Sequence, residues 1–179
     1  QLIVLSAGRG SRLPKKFRNR PKCLVKLNSK PLILYNENFF SHFKNKIIVT
    51  GFKQKYLKKI SEKIGFNNVF NRKYSSTNMV YSLFLTKKKI KEDVVIVYGD
   101  IIFSDTVYEL LKPKKNIIPV NVNWYKNWKK RMSTNNIFKD AENIVVKKIL
   151  WWKLVQKLIK TKYQNINSWV LLNYENKLI

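Results

Sequence analysis

Acidic side chains are scarce in this chain: 10 Asp and Glu stand against 37 Lys and Arg in 179 residues, a formal net charge of +27. Cysteine is scarcer still. Cys23 is the single example, so no disulfide can close within the chain and a reducing compartment, the cytoplasm, is expected. No apolar run approaches the roughly 20 residues that cross a bilayer, which argues against a membrane-spanning role. The apolar opening leads into glycines and arginines rather than a cleavage site, unlike a secretory signal. Gln1 stands where a Met would, so further residues are expected ahead of it. Repeats and low-complexity linkers are also missing.

What is present is globular. An apolar fraction of 45% with 13% aromatic residues supports one domain, 1–179, with a substantial core. The excess of positive charge has two readings, an electrostatic footprint for nucleic acid or a membrane surface, and compositional drift. With 31 Lys to 6 Arg, 20 Asn, and lysines spread along the whole length instead of in one stripe, drift is the better account and nucleic acid the poorer one. Polyanionic ligands are welcome either way.

Short apolar runs alternate with helical spacing. Strands are expected at Leu2 to Ser6, Lys46 to Thr50, Asn68 to Asn71, Val94 to Tyr98 and Ile117 to Val122, and CLVKL (23–27) is strand-like. Helices are expected over Lys30 to Phe43, Gln54 to Ile64, Thr77 to Thr86 and Ser104 to Leu111, the last stopped before Pro113. This order builds a doubly wound, mainly parallel α/β sheet with helices on both faces. A core spans 1–122 and a less regular C-terminal third spans 123–179. Ligands of such sheets bind beyond the carboxyl ends of the strands. That edge collects the glycine loop behind the first strand and Gly99-Asp100 behind the run VVIVY.

The loop reads Ser6-Ala7-Gly8-Arg9-Gly10-Ser11-Arg12. Small residues let the backbone approach a bound group, successive N–H groups cradle an anion, and Arg9 and Arg12 add forks suited to phosphate. A dinucleotide fingerprint would need a third glycine where Leu13 stands, and Pro14 blocks an immediate helix; a Walker A loop would need Gly-Lys-Ser/Thr. The cradle is therefore of another design. His42 lies on an apolar helix and reads as structural, and Cys23 reads as a small buried hydrophobe.

Taken together and in this order, LSAGRGSRL, RPKCLVKLNSKPLI, TNMVYSL and VYGDIIF resemble the nucleotidyltransferases of the sugar-phosphate and phosphocholine type, above all the small cytidylyltransferases that activate phosphocholine and related phosphorylated alcohols. The resemblance covers residues 1 to about 145. It implies a Rossmann-like nucleotidyltransferase fold in which Gly8 to Arg12 wrap a triphosphate, Lys22 holds phosphate groups at the reacting centre, Asn78 and Ser82 meet the nucleobase and Asp100 binds Mg²⁺. Transfer of this kind needs positioning and charge neutralisation rather than a covalent nucleophile, a role that suits Arg12 and Lys22. It implies CTP, or another nucleoside triphosphate, and a phosphorylated small molecule as partners. A sugar 1-phosphate is the second choice of acceptor. Residues 123–179 would serve that acceptor: Trp124 and Trp128 by cation–π contact with a trimethylammonium group, against core packing as the default for tryptophan, and Asp140 and Glu142 as a contact to a cationic acceptor, an aid to the metal, or a solvated loop.

Two departures from the pattern stand out. Relatives complete the metal site with an aspartate near the C-terminus following a tryptophan, and the stretch WVLLNYE (169–175) places Asn173 there, an amide without charge to offset Mg²⁺. Between KKI and LWWK the chain also skips the glycine-containing acceptor segment of such relatives. A non-catalytic regulatory relative, or a basic nucleic-acid binder, is the competing expectation.

Overall fold

The structure, a computed structural model, describes residues 1–112, 116–121 and 123–130, and the backbone of 172–174. The first unit, Gln1–Ile117 with Val170–Ile179, is built on a five-stranded sheet of order β5-β4-β1-β6-β7. Its strands are β1 (Leu2–Ser6), β4 (Lys46–Thr50), β5 (Asn67–Phe70), β6 (Val94–Tyr98) and β7 (Leu172–Tyr174). β1 pairs in parallel with both β4 and β6, β4 in parallel with β5, and β7 runs antiparallel to β6.

The three central strands are apolar on both faces because both faces are covered. Ile3, Ile47, Val49, Val94 and Ile96 form one buried cluster, against which Leu83 of helix α3 (Met79–Phe84) packs. The alternate set, Leu2, Val4, Ile48, Val95 and Val97, is equally buried and faces the other layer. Right-handed crossovers from β1 to β4 and from β4 to β5 put α1 (Glu37–Ser41) and α2 (Gln54–Lys63) on that second side. Phe40 of α1 meets Phe66, just after α2, edge to face. The return from β5 to β6 carries α3 over the opposite face, so the sheet is doubly wound, as expected. Helix α4 (Asp105–Leu111) follows β6.

Two strand expectations fail. Pro21 opens a 3-10 turn, Lys22–Leu24, instead of a strand, with Leu24 N–H donating to Pro21 O and Val25 N–H to Lys22 O. A hairpin of β2 (Lys26–Leu27) and β3 (Lys30–Pro31) follows. Its corner residues Asn28 and Ser29 both adopt positive φ, the geometry that matches strand twist in a two-residue loop. Between 117 and 122 the described residues hold a single bridge at Val120, because Pro119 has no N–H to give a ladder. The expected helix from Lys30 is a 3-10 segment, Leu32–Asn36, running into α1.

The second unit, Ile118–Trp169, contains α5 (Trp124–Lys129), in which Trp124 is buried and lies edge-on to Tyr125 and Trp128. Asp140 and Glu142 lie outside the described residues.

Candidate active site

Three strand-end loops of the first unit surround a cavity of about 240 Å³. The loop after β1 contributes Ser6, Ala7, Gly8 and Gly10, the turn after Pro21 contributes Lys22 and Cys23, and the segment after β6 contributes Tyr98 and Asp100. The loop after β5 and the start of α3 contribute Tyr74, Thr77, Asn78, Met79 and Ser82. All lie at the carboxyl edge of the parallel strands, where ligands of open α/β sheets bind.

Glycines allow the loops to come this close. A Cβ at position 99 would lie 1.9 Å from Ser6 Oγ, and one at position 51 would lie 2.5 Å from Ala7 O and 2.6 Å from Tyr74 Cβ. At 51 the clash is with backbone, so the ends of β1 and β4 can meet only with glycine there; at 99 it is with the Ser6 hydroxyl, so glycine is required as long as serine stands at 6. Gly10 has φ +66°, the left-handed region, and its N–H-to-carbonyl turn is closed by Leu13 N–H donating to Gly10 O. Gly8 differs: it has no positive φ, and a Cβ there would meet nothing within 4 Å. Protein packing does not require glycine at 8. Open space against a bare backbone is what a close-approaching ligand requires.

Lys22 and Asp100 form an ion pair on the cavity wall, both partly exposed. The segment behind Asp100 is pinned from the first crossover. Asn36, 1% exposed, donates from Nδ2 to Ile101 O (2.6 Å) and accepts from Phe103 N–H (2.9 Å). Beside the pair, burial pushes the Cys23 thiol up from 9.0 to about 12; the neighbouring Ser6 hydroxyl offsets this and the Asp100 carboxylate adds to it. The thiol is neutral and unsuited to nucleophilic work. Ser6 Oγ, buried beside this weakly bonding thiol, has no well-formed hydrogen bond.

The loop after β5 is organised by another buried asparagine. Asn71 Nδ2 donates to Thr77 Oγ1 and Ser82 Oγ, both at 3.0 Å, and its Oδ1 accepts from Lys73 N–H at 2.9 Å. Asn78 caps α3, its Oδ1 accepting from Tyr81 N–H at 3.1 Å.

The structure thus brings Ser6, Ala7, Gly8, Gly10, Lys22, Asn78, Ser82 and Asp100 to one cavity. Arg9, Ser11 and Arg12 are exposed on the loop and do not line it; the Arg9 guanidinium lies 5.5 Å from the centre of the Phe52 ring. The β6–β7 ladder pairs the backbone of Asn173 with Val95. Sequence reasoning missed Tyr98, which ends β6, and Tyr74, Thr77 and Met79, which line the cavity from the loop after β5 and the start of α3, and it missed the two buried asparagines. His42 stacks on Tyr108, ring centres 3.9 Å apart, in keeping with a structural reading.

No group of three or more His, Cys, Asp or Glu side chains is positioned to hold a metal among the described residues. What they offer a divalent ion is one cavity-lining carboxylate, Asp100. Mg²⁺ is commonly held by one or two carboxylates, with substrate phosphates and water completing its shell, so the residues fit that ion in the company of a nucleotide. No helix among the described residues is long and apolar enough to cross a membrane.

Comparison with known proteins agrees with this architecture. The chain is 37% identical over 153 residues to a CTP:phosphoglutamine cytidylyltransferase of Campylobacter jejuni, covering 79% of this chain and 60% of that protein. It is 37% identical over 105 residues to a choline-phosphate cytidylyltransferase of Streptococcus pneumoniae, covering 58% and 46%. It therefore spans about half to three-fifths of these relatives' length. A solved CTP:phosphocholine cytidylyltransferase from Streptococcus pneumoniae superposes with TM-score 0.51 at 36% identity, covering 56% of this chain and 44% of that one. An inositol-1-phosphate CTP transferase from T. maritima superposes with TM-score 0.64 over 97% of this chain and 69% of its own, at 17% identity, a likeness of fold alone. The profile of the MobA-like NTP transferase domain matches residues 2–120, and with its glycine loop, lysine turn and strand-end aspartate around one cavity, the chain belongs to that family.

Proposed function

We propose that the chain transfers a nucleotidyl group from a nucleoside triphosphate, with CTP favoured, to the phosphate of a small acceptor, releasing pyrophosphate. One observation carries this reading: the open backbone at Gly8 and the Lys22–Asp100 pair line the same cavity at the sheet's carboxyl edge. The names of the relatives support cytidylyl transfer in particular.

In this reading the acceptor's phosphate oxygen attacks the α-phosphorus in line and pyrophosphate leaves. The loop from Ser6 to Gly10 receives the triphosphate against bare backbone, and Lys22 neutralises charge that builds on the transferring group. Asp100 would hold Mg²⁺, which when bound supplies Lewis-acid neutralisation of phosphate oxygens. Before substrate arrives, Lys22 and Asp100 satisfy each other, so both must turn from that contact to the ligand. Ser6 Oγ, buried without a well-formed hydrogen bond, is a further group that a ligand atom can satisfy. Tyr74 adds an aromatic surface to the wall on which Asn78 stands.

Among acceptors we favour phosphocholine-like compounds, ahead of phosphoglutamine and sugar 1-phosphates. The single buried thiol fits a cytoplasmic setting. The test is pyrophosphate release from CTP, UTP, ATP or GTP in Mg²⁺ with each acceptor in turn. Release with CTP and one acceptor supports transferase action. Binding of CTP without release under any pairing makes the chain a non-catalytic relative. Affinity for DNA that persists at physiological salt, where contacts made by charge alone weaken steeply, would instead favour the nucleic-acid reading.

A further inference from the structure

We infer that Asn71, which lies outside the cavity lining, is the positioning residue that sets which nucleobase the cavity accepts; this rests on the nucleotide-binding reading above. Asn71 is 1% exposed and makes three hydrogen bonds that tie together the ends of the segment it precedes. Its amide donates to Thr77 Oγ1 and to Ser82 Oγ, and its carbonyl receives Lys73 N–H.

The consequence lies in what remains available. The Thr77 hydroxyl accepts from Asn71 and spends its proton on Lys73 O at 2.7 Å. The Ser82 hydroxyl accepts from Asn71 and spends its proton on Asn78 O at 3.3 Å. A hydroxyl has one proton to give, so neither has a donor left for a ligand. Asn78 Oδ1 is committed to Tyr81 N–H as the helix cap, which also fixes the orientation of the amide. On this wall the Asn78 Nδ2 group and the Tyr74 hydroxyl are the side-chain amide and hydroxyl donors left to a ligand among the described residues. A wall presenting an amide N–H asks for an acceptor on the base edge. Cytosine answers with two neighbouring acceptors, O2 and N3, which the two N–H groups of the amide can share, whereas uracil sets an N3–H donor between its O2 and O4 acceptors.

Asn71 determines this polarity because it is the group that makes both hydroxyls acceptors. With Asn71→Asp, the carboxylate keeps the bond from Lys73 N–H but has no proton for either hydroxyl. Thr77 and Ser82 must then turn their protons inward, releasing Lys73 O and Asn78 O and loosening the wall that carries Asn78. The phosphate loop, on the other side of the cavity, keeps its own contacts. A residue that merely stabilised the fold would weaken every ligand alike. Asn71 should change the response to the base and spare the response to phosphate.

The experiment measures binding of CTP, UTP and inorganic tripolyphosphate to the full chain by calorimetry, for wild type, Asn71→Asp and Thr77→Val, with thermal unfolding as the check on folding. The expected result is CTP binding weakened by roughly tenfold or more in Asn71→Asp, the scale of leaving a buried polar group unpaired, with the CTP-to-UTP ratio falling toward one and tripolyphosphate binding unchanged. Should Asn71→Asp fail to fold, Thr77→Val decides, since it removes one hydroxyl from a half-buried position and should lower the same ratio. The inference is overturned by wild-type CTP-to-UTP selectivity in the variant that folds, or by equal weakening of CTP and tripolyphosphate. A wild-type chain that binds no nucleotide overturns the functional reading itself, and this inference with it. Selective wild-type binding joined to an unselective effect of the variant sinks the inference alone.

Discussion

Lys22 and Asp100, remote in sequence, neutralise each other on the wall of one cavity. Both stay partly open to solvent, so the pair contributes little to folding; exposed pairs are worth about 0–1 kcal/mol. In the proposed reading, one cation and one carboxylate are already in register for a phosphate and its counter-ion.

Asp100→Asn should therefore leave the fold intact while lowering turnover by about 100-fold or more, the scale seen when charge stabilisation at a transition state is removed. It should also abolish the extra thermal stabilisation that Mg²⁺ lends to the CTP complex. Full activity in this variant would end the metal assignment.

Lys22→Met should lower kcat for pyrophosphate release by a similar factor, about 100-fold, and weaken tripolyphosphate binding, with an unfolding temperature close to wild type. A large loss of stability without loss of tripolyphosphate affinity would show that Lys22 serves the fold instead.

Gly8→Ala separates ligand from fold. A methyl group there meets no protein atom within 4 Å and the backbone is not left-handed, so stability should hold or rise by about 0.4–1 kcal/mol through the unfolded state. CTP affinity should nonetheless fall several-fold. Unchanged affinity in denaturant-matched binding assays would move the nucleotide away from this loop.

Cys23 provides a pH test. Its thiol ionises near 12 in the folded chain against 9.0 ordinarily, so the folded state retains a proton that the unfolded state releases. Its contribution is complete below about pH 9 and is lost as pH rises toward 12, at up to about 1.4 kcal/mol per pH unit. Native protein at pH 8 should resist iodoacetamide, while urea-unfolded protein reacts. Rapid alkylation of the native chain would contradict the burial.

The sheet was legible because parallel strands buried on both faces appear as unbroken β-branched runs, and Ile3-Val4, KIIVT and VVIVY each became a strand. Gly8, Gly10 and Asp100, directly behind such runs, line one cavity. Other features depend on context that residue order does not carry. CLVKL has strand composition, yet Pro21 starts a 3-10 turn that brings Lys22 to the cavity wall. Asn36 and Asn71 look like any of the 20 asparagines; only burial beside two strand-end loops distinguishes them.

The near-contact of position 99 with Ser6 Oγ, 1.9 Å from a built Cβ, ties two positions into one evolutionary choice. Gly99→Ala alone should cost roughly 1–3 kcal/mol as overpacking, and Ser6→Ala should recover much of it, because the remaining Ser6 Cβ lies 3.2 Å away. Aligned relatives that carry a side chain at 99 should accordingly show a smaller residue at 6, a covariation traceable to a single hydroxyl.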